Sequence, residues 1–203
     1  MTILLVRHGE TPLNVARTLQ PADTPLSPTG LAQAQAVARR LAGGPLAGIV
    51  SSDLPRALST AQAIGAATGL PVSTTALLHE RNFGDLRGQP YDTLGFNPLT
   101  MEQAPPGGES MAAFFERVAQ AFAHIVALRT QLGGPLAVVT HGLVIRALLS
   151  RHAQRTDSGE LPRIGNTSVS VLAALAPHTV ELLDCTRHLD AATQDDSQSL
   201  SGG

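Results

Sequence analysis

Short apolar runs alternate along the chain with longer stretches of helical period. Ile3–Val6 is a continuous apolar run and predicts a buried strand. From Pro28 to Leu41 the apolar positions Leu31, Ala34, Val37, Ala38 and Leu41 recur at helical spacing. Ser27 supplies an N-cap, Pro28 the first helical position and Gly43-Gly44-Pro45 the stop. Gly48–Ser51 predicts a second strand, Pro55–Thr68 a second helix closed by Gly69, and Val72–Leu77 a third strand. A long helix is predicted from Glu109-Ser110 to about Leu128, with Phe114, Phe115, Val118, Phe122 and Ile125 on one face. Leu136–Thr140 reads as a buried strand, followed at once by a helix from Leu143 to about His152. Ser168–Ala174 and Thr179–Leu183, joined by a short connection, predict an antiparallel hairpin.

Between residues 83 and 108 no period survives. Gly84, Gly88, Pro90, Gly95, Pro98, Pro105, Pro106, Gly107 and Gly108 interrupt it, which predicts a small lid insertion. The sum is a single domain over residues 1–190 in the α/β class. A three-layer α/β/α sandwich is expected, its sheet mostly parallel with one antiparallel strand. The polar, small-residue segment 191–203 is expected to be a flexible tail.

Composition narrows what such a domain does. Hydrophobic residues are 43% of the 203 positions and charged residues 15%, below the ~25% of an average chain, which excludes a disordered polyelectrolyte. Net charge is −2, all 14 basic residues are Arg, Trp is absent and Tyr occurs once. Nucleic-acid binding, which wants bulk positive charge and aromatic platforms, is not expected. Schiff-base and P-loop lysine chemistry is excluded. An anion would be met locally, by Arg, His and backbone N–H groups. The lone Cys185 allows no internal disulfide and no Cys-x-x-Cys metal site. With no signal sequence and no apolar stretch near the ~20 residues of a membrane span, a cytoplasmic protein without membrane partners, metal or cofactor is expected.

The candidate chemistry gathers after strands, where open α/β sheets bind ligands. His8 follows the first strand in Arg7-His8-Gly9, and His141 follows a later one in Thr140-His141-Gly142. Each is followed by a Gly that would let the backbone approach a ligand. Arg56 stands in the first turn of a helix, a place that favours negative charge. It is either a solvated surface Arg or shares an anionic ligand with the helix end.

Read in order, several segments resemble the histidine phosphatase superfamily, the phosphoglycerate mutase-like family. They are Leu5-Val6-Arg7-His8-Gly9-Glu10-Thr11-Pro12-Leu13-Asn14, Pro25-Leu26-Ser27-Pro28-Thr29-Gly30, Ser51-Ser52-Asp53-Leu54-Pro55-Arg56-Ala57, Leu78-His79-Glu80-Arg81-Asn82-Phe83-Gly84, Pro106-Gly107-Gly108-Glu109-Ser110, Val138-Val139-Thr140-His141-Gly142 and Asn166-Thr167-Ser168. The resemblance spans about residues 1 to 190. It implies that His8 attacks phosphorus, that Arg7, Asn14, Arg56 and His141 hold the phosphoryl oxygens, and that Glu80 is the general acid. A raised pKa would help Glu80 in that role and nearby donors or cations would lower it, so the sign stays open. Thr11 is either a further donor or a cap. Glu10 and Asp53 are expected to orient neighbours. His79, beside Glu80, is expected to pack or be exposed rather than bind metal, as are His124, His152, His178 and His188.

Arg81, Phe83, Arg87 and Tyr91 are candidates to line the substrate lid. Mutases of the family carry basic residues in the insertion, but none occurs here from Gly88 to Glu116. A second strong anion would meet Tyr91, Phe96, Leu99 and Met101, a costly burial. The phosphatase branch usually has an aromatic and an acidic residue where Leu86 and Arg87 stand. The reading is therefore a metal-independent phosphomonoesterase of a small phosphorylated metabolite, monomeric or homodimeric. A cofactor-dependent phosphoglycerate mutase and a catalytically silent phospho-ligand module are the alternatives.

Overall fold

A computed structural model describes residues 2–156 and 159–194. β1 (Thr2–Arg7) lies at the centre of a six-stranded sheet with β2 (Gly48–Ser51), β3 (Val72–Thr74), β4 (Leu136–Thr140), β5 (Val169–Ala173) and β6 (Val180–Cys185), in the order β3-β2-β4-β1-β5-β6. β1, β2, β3 and β4 pair in parallel. β5 alone runs against its neighbours, β1 and β6. This is the mostly parallel sheet with one antiparallel strand that the pattern predicts.

Strand alternation makes the layers. Leu136 and Val138 of β4, with Ile3 and Leu5 of β1, join one core with α4 (Met111–Leu132) and α5 (Gly142–Arg151). Ala137 and Val139, with Val6 and Ile49, face α2 (Pro28–Ala42) and α3 (Pro55–Thr68) on the other side. Because successive side chains point to opposite faces, the four buried apolar residues Leu136–Val139 fill both cores.

The departures are local. The third strand ends at Thr74, because the Thr75 hydroxyl caps a 3₁₀ turn over Ala76–Leu78. α4 continues past Leu128 to Leu132 and stops at Gly133, whose φ of 67° ends it. α4 also corrects the expectation that no stretch approaches a membrane span. Its 22 residues, with a mean hydropathy of 1.3 in the most apolar part, could cross a membrane by length and composition. Here Phe114, Val118, Ala121 and Ile125 bury one stripe of it in the domain core.

Residues 83–108 form turns, including short 3₁₀ segments at Gly84–Leu86 and Tyr91–Thr93, and Gly88, Gln89 and Tyr91 bond the backbone of Arg17 and Leu19. Of the expected tail, Asp190–Thr193 makes a turn whose Thr193 carbonyl accepts from Gln33 Nε2 at 3.0 Å. Residues 195–203 lie outside the described residues.

Candidate active site

The sheet register assembles the site. Arg7 pairs with Thr140 and Ser51 with Val139, so β1, β4 and β2 end together. The next residues, His8, His141 and Ser52, stand side by side; His8 N–H donates to Thr140 O and Ser52 N–H to Val139 O, both at 2.9 Å. The His8 and His141 rings are 5.2 Å apart, and both are buried.

His8 Nδ1 lies 2.7 Å from Gly9 O. A carbonyl only accepts, so Nδ1 carries the proton and Nε2 keeps its lone pair. Burial first, then Arg7 and Arg56, hold the His8 pKa well below its usual value, so the ring is neutral near pH 7. The His8 carbonyl accepts from Asn166 Nδ2 at 3.0 Å and from Thr167 N–H at 3.2 Å.

The Gly9 carbonyl edge explains the glycine differently from the sequence reading. A Cβ on Gly9 would sit 2.5 Å from Gly30 O, and one on Gly30 would sit 2.0 Å from Glu10 O. The pair lets the loop after β1 press on α2, so Gly9 serves helix packing. Glu10 secures the same contact, accepting from Ser27 Oγ at 2.7 Å.

Arg7 is buried and donates Nη1 to Ile164 O at 2.7 Å. Arg56, only 1% exposed, donates Nη1 to Pro21 O and Ala22 O at 3.3 and 3.4 Å, while its buried Nε has no partner among the described residues. Burial, opposed by Glu80, lowers its pKa to about 10, which leaves it charged at neutral pH. The α3 N-cap, Leu54, offers no side-chain cap, so the helix end has polar capacity for an anion beside Arg56. His141 Nε2 is 2.9 Å from Ser52 Oγ, and its buried Nδ1 has no partner among the described residues. In the tautomer with Ser52 donating, Nδ1–H is a donor.

Glu80 is buried, with Oε1 accepting from Arg81 N–H at 3.0 Å and Oε2 from Leu143 N–H, in the first turn of α5, at 3.1 Å. Burial outweighs these bonds and the Arg56 and Arg7 charges, so its pKa is raised. The sign left open by the sequence is thus upward.

Thr11 is a cap: it heads α1 (Pro12–Val15) in a capping box with Asn14. Asn14 Oδ1 accepts from Thr11 N–H at 3.1 Å, so any phosphoryl contact from this amide falls to Nδ2. Thr11 Oγ1 also donates to Gln20 Oε1 at 2.8 Å, tying buried Gln20 to the loop after His8. Gln20 and Ser52 were missed by sequence. Gln20 lies in an aperiodic Pro-containing loop; Ser52 stands at a strand end inside a quoted motif, and that position was its only signal.

The four lid candidates divide. Arg81 is buried and bonds the carbonyls of Pro98, Met101, Gln103 and Glu109, at 2.6–3.4 Å. Phe83 is buried beneath the Arg81 guanidinium, 5.5 Å from its ring centroid. Both hold the insertion together through these contacts. Arg87 lies close enough to Arg56 to depress its pKa, and its Nε has no partner among the described residues. Burial and then the Glu80 charge raise the Tyr91 hydroxyl pKa, which sets Tyr91 beside the acid. Tyr91 also lines a cavity of about 480 Å³ with Arg17, Asp92 and Phe96.

His79 hydrogen-bonds Asp53 through Nε2. No group of three or more metal-type ligands occurs among the described residues. His124 is exposed, and His152 and His178 pack against Phe122 with ring separations of 4.8 and 4.9 Å.

A profile of the histidine phosphatase superfamily (branch 1) matches residues 3–181. The chain belongs to the histidine phosphatase superfamily. It is 38% identical over 183 residues to phosphoglycerate mutase-like protein 4 of Arabidopsis thaliana, covering 83% of this chain and 77% of that one. It is similar to a mycobacterial glucosyl-3-phosphoglycerate phosphatase (TM-score 0.74, 30% identity, 91% of this chain and 98% of that one). A candidate α-ribazole-5'-P phosphatase from Escherichia coli gives a TM-score of 0.77 at 25% identity, over 92% and 97% of the two chains. The family and these neighbours make the chain a phosphatase- or mutase-type enzyme, and its six-stranded sheet with flanking helices agrees with their fold.

Proposed function

We propose that this enzyme hydrolyses phosphomonoesters of a small metabolite through a phosphohistidine on His8, without a metal. The observation that carries the reading is the His8 tautomer: Nδ1–H is fixed on Gly9 O, leaving Nε2 as a neutral nucleophile among Arg7, Arg56 and His141. Nε2 bonds to phosphorus as the ester P–O bond breaks, and protonated Glu80 gives its proton to the leaving oxygen. Glu80 then takes a proton from water, whose oxygen attacks phosphohistidine; the P–N bond breaks and inorganic phosphate leaves. The arginines and His141 N–H balance charge spread over the phosphoryl oxygens, the task a metal would otherwise serve. Planar Arg forks suit these oxygens.

The test is p-nitrophenyl phosphate turnover with excess EDTA. Full activity with chelator and loss in His8→Ala are expected; activity abolished by EDTA, or retained in His8→Ala, would sink the reading. A mutase is the second reading, favoured by the mutase-like relative and by Arg87, which places a cation beside Arg56. Direct conversion of 3- to 2-phosphoglycerate, faster than phosphate release, would establish it. Phosphate binding with no phosphohistidine in enzyme quenched in alkali, where the P–N bond survives, would instead indicate a silent binding module.

A further inference from the structure

Thr167 is buried and has a backbone φ of 52°. This is the left-handed region, where a β-branched residue is a true outlier. It occupies the third position of a turn closed by Ser168 N–H on Gly165 O at 3.1 Å, a place where positive φ calls for Gly or Asn. Strain of this kind persists only where the surroundings over-determine it.

Those surroundings reach the nucleophile on one side and α2 on the other. Thr167 N–H donates to the His8 carbonyl at 3.2 Å. Thr167 Oγ1 lies 3.1 Å from His188 Nε2, and His188 Nδ1 lies 3.1 Å from Arg40 Nη1. A guanidinium only donates, so Nδ1 accepts, the neutral ring carries its proton on Nε2, and that proton goes to Thr167 Oγ1. Burial and the Arg40 charge lower the His188 pKa to about 4, which keeps this tautomer neutral at working pH. Arg40, in the last turn of α2, is itself fixed by donating Nη1 to Cys185 O at 3.0 Å.

We propose that Thr167 is a positioning residue for His8, and that the His188–Arg40 pair is the brace that holds its backbone in the strained form. The left-handed turn aims Thr167 N–H at the His8 carbonyl beside the Asn166 amide, and two donors on one carbonyl fix the nucleophile's main chain. A loosened brace lets Nε2 wander from the line of attack, and small misplacements of a reacting group cost rate steeply. The proposal rests on His8 being the nucleophile.

Single-turnover phosphohistidine formation, by rapid alkaline quench, tests it in wild type, His188→Leu, His188→Gln, Thr167→Gly and the Thr167→Gly, His188→Leu double variant. Inorganic phosphate affinity and melting temperature are measured alongside. His188→Leu removes the donor and is expected to slow phosphorylation about tenfold or more, with inorganic phosphate affinity within twofold. His188→Gln restores an Nε2 donor and is expected within about threefold of wild type. Thr167→Gly keeps the N–H and takes the positive φ without strain, so it needs no brace; it is expected to keep or raise the melting temperature, to phosphorylate within about threefold of wild type, and to restore the rate in the Thr167→Gly, His188→Leu double variant. A double variant still tenfold slow or slower shows that the brace does not act through the Thr167 backbone, and that result overturns the proposal even where His188→Leu alone fails to fold. Equal rates in folded His188→Leu overturn it too. Absence of phosphohistidine in wild type defeats the functional reading itself, and is distinguishable because it needs no variant.

Discussion

Two demands compete at Glu80. Two backbone N–H bonds and two arginine charges favour the carboxylate, whereas burial favours the acid, and burial wins. His8 is shifted the other way, and the two directions are those that the proposed reaction asks of a neutral nucleophile and a protonated acid. The kcat/KM profile is expected to be a bell: protonation of His8 sets the acid limb and ionisation of Glu80 the alkaline limb. Glu80→Gln is expected to lose that alkaline limb and to lower kcat for an alkyl phosphate by about 10²–10⁴-fold. The loss should be much smaller in the phosphorylation step with p-nitrophenyl phosphate, whose leaving group departs without a proton. Equal losses on both substrates would remove Glu80 from the acid role. At Gly9 the constraint is steric. Gly9→Ala drives a Cβ into Gly30 O, backbone that cannot yield, so about 1–3 kcal/mol of stability is expected to be lost, read in urea unfolding. His8, His141 and Arg56 were legible because each follows or opens a regular element. The carbonyls that Arg81 bonds, 17 to 28 positions away, were not legible because nothing beside it in sequence reveals them.

Elements with a hydrophobic period were legible almost to the residue. β4 and α2 follow their patterns because each buries the positions that recur. The insertion has no such period, so its shape comes from one side chain. Arg81 satisfies four loop carbonyls, and Asn82 adds bonds to Glu109 and Gly107. Arg81→Met keeps an apolar stem over Phe83 but leaves those carbonyls unmet, at about 1–3 kcal/mol for the buried ones. Limited proteolysis should then cut residues 98–103 about tenfold faster or more, with amide exchange in β1 and β4 unchanged. Unaltered cleavage there would show that the loop holds without its clamp.

Across the molecule the missing lysine acquires a physical meaning. Arg7, Arg40, Arg56, Arg81, Arg117 and Arg146 all donate to backbone carbonyls, joining loops to helices and to the sheet end. A planar fork with several donors does this better than a compact ammonium, and the net charge of −2 is silent about it. The site's own charge balance carries over into stability. His8 and His141 are buried neutral, with folded pKa values well below the unfolded ~6.5. Below that pH the unfolded chain binds protons that the folded one refuses, so stability falls as pH drops, by up to about 1.4 kcal/mol per pH unit for each histidine. Glu80 acts oppositely: its folded pKa is raised, so stability is lost as pH climbs above the unfolded ~4.3. Two histidines outweigh one carboxyl between pH 7 and 5. Denaturation of the wild type is therefore expected to show stability falling over that interval. In the His8→Asn, His141→Asn double variant the slope should shrink but persist, since His152 and His188 are also held low. Identical slopes in the two proteins would mean that the paired histidines do not carry the acid sensitivity, and that the neutral state assigned to the nucleophile is wrong.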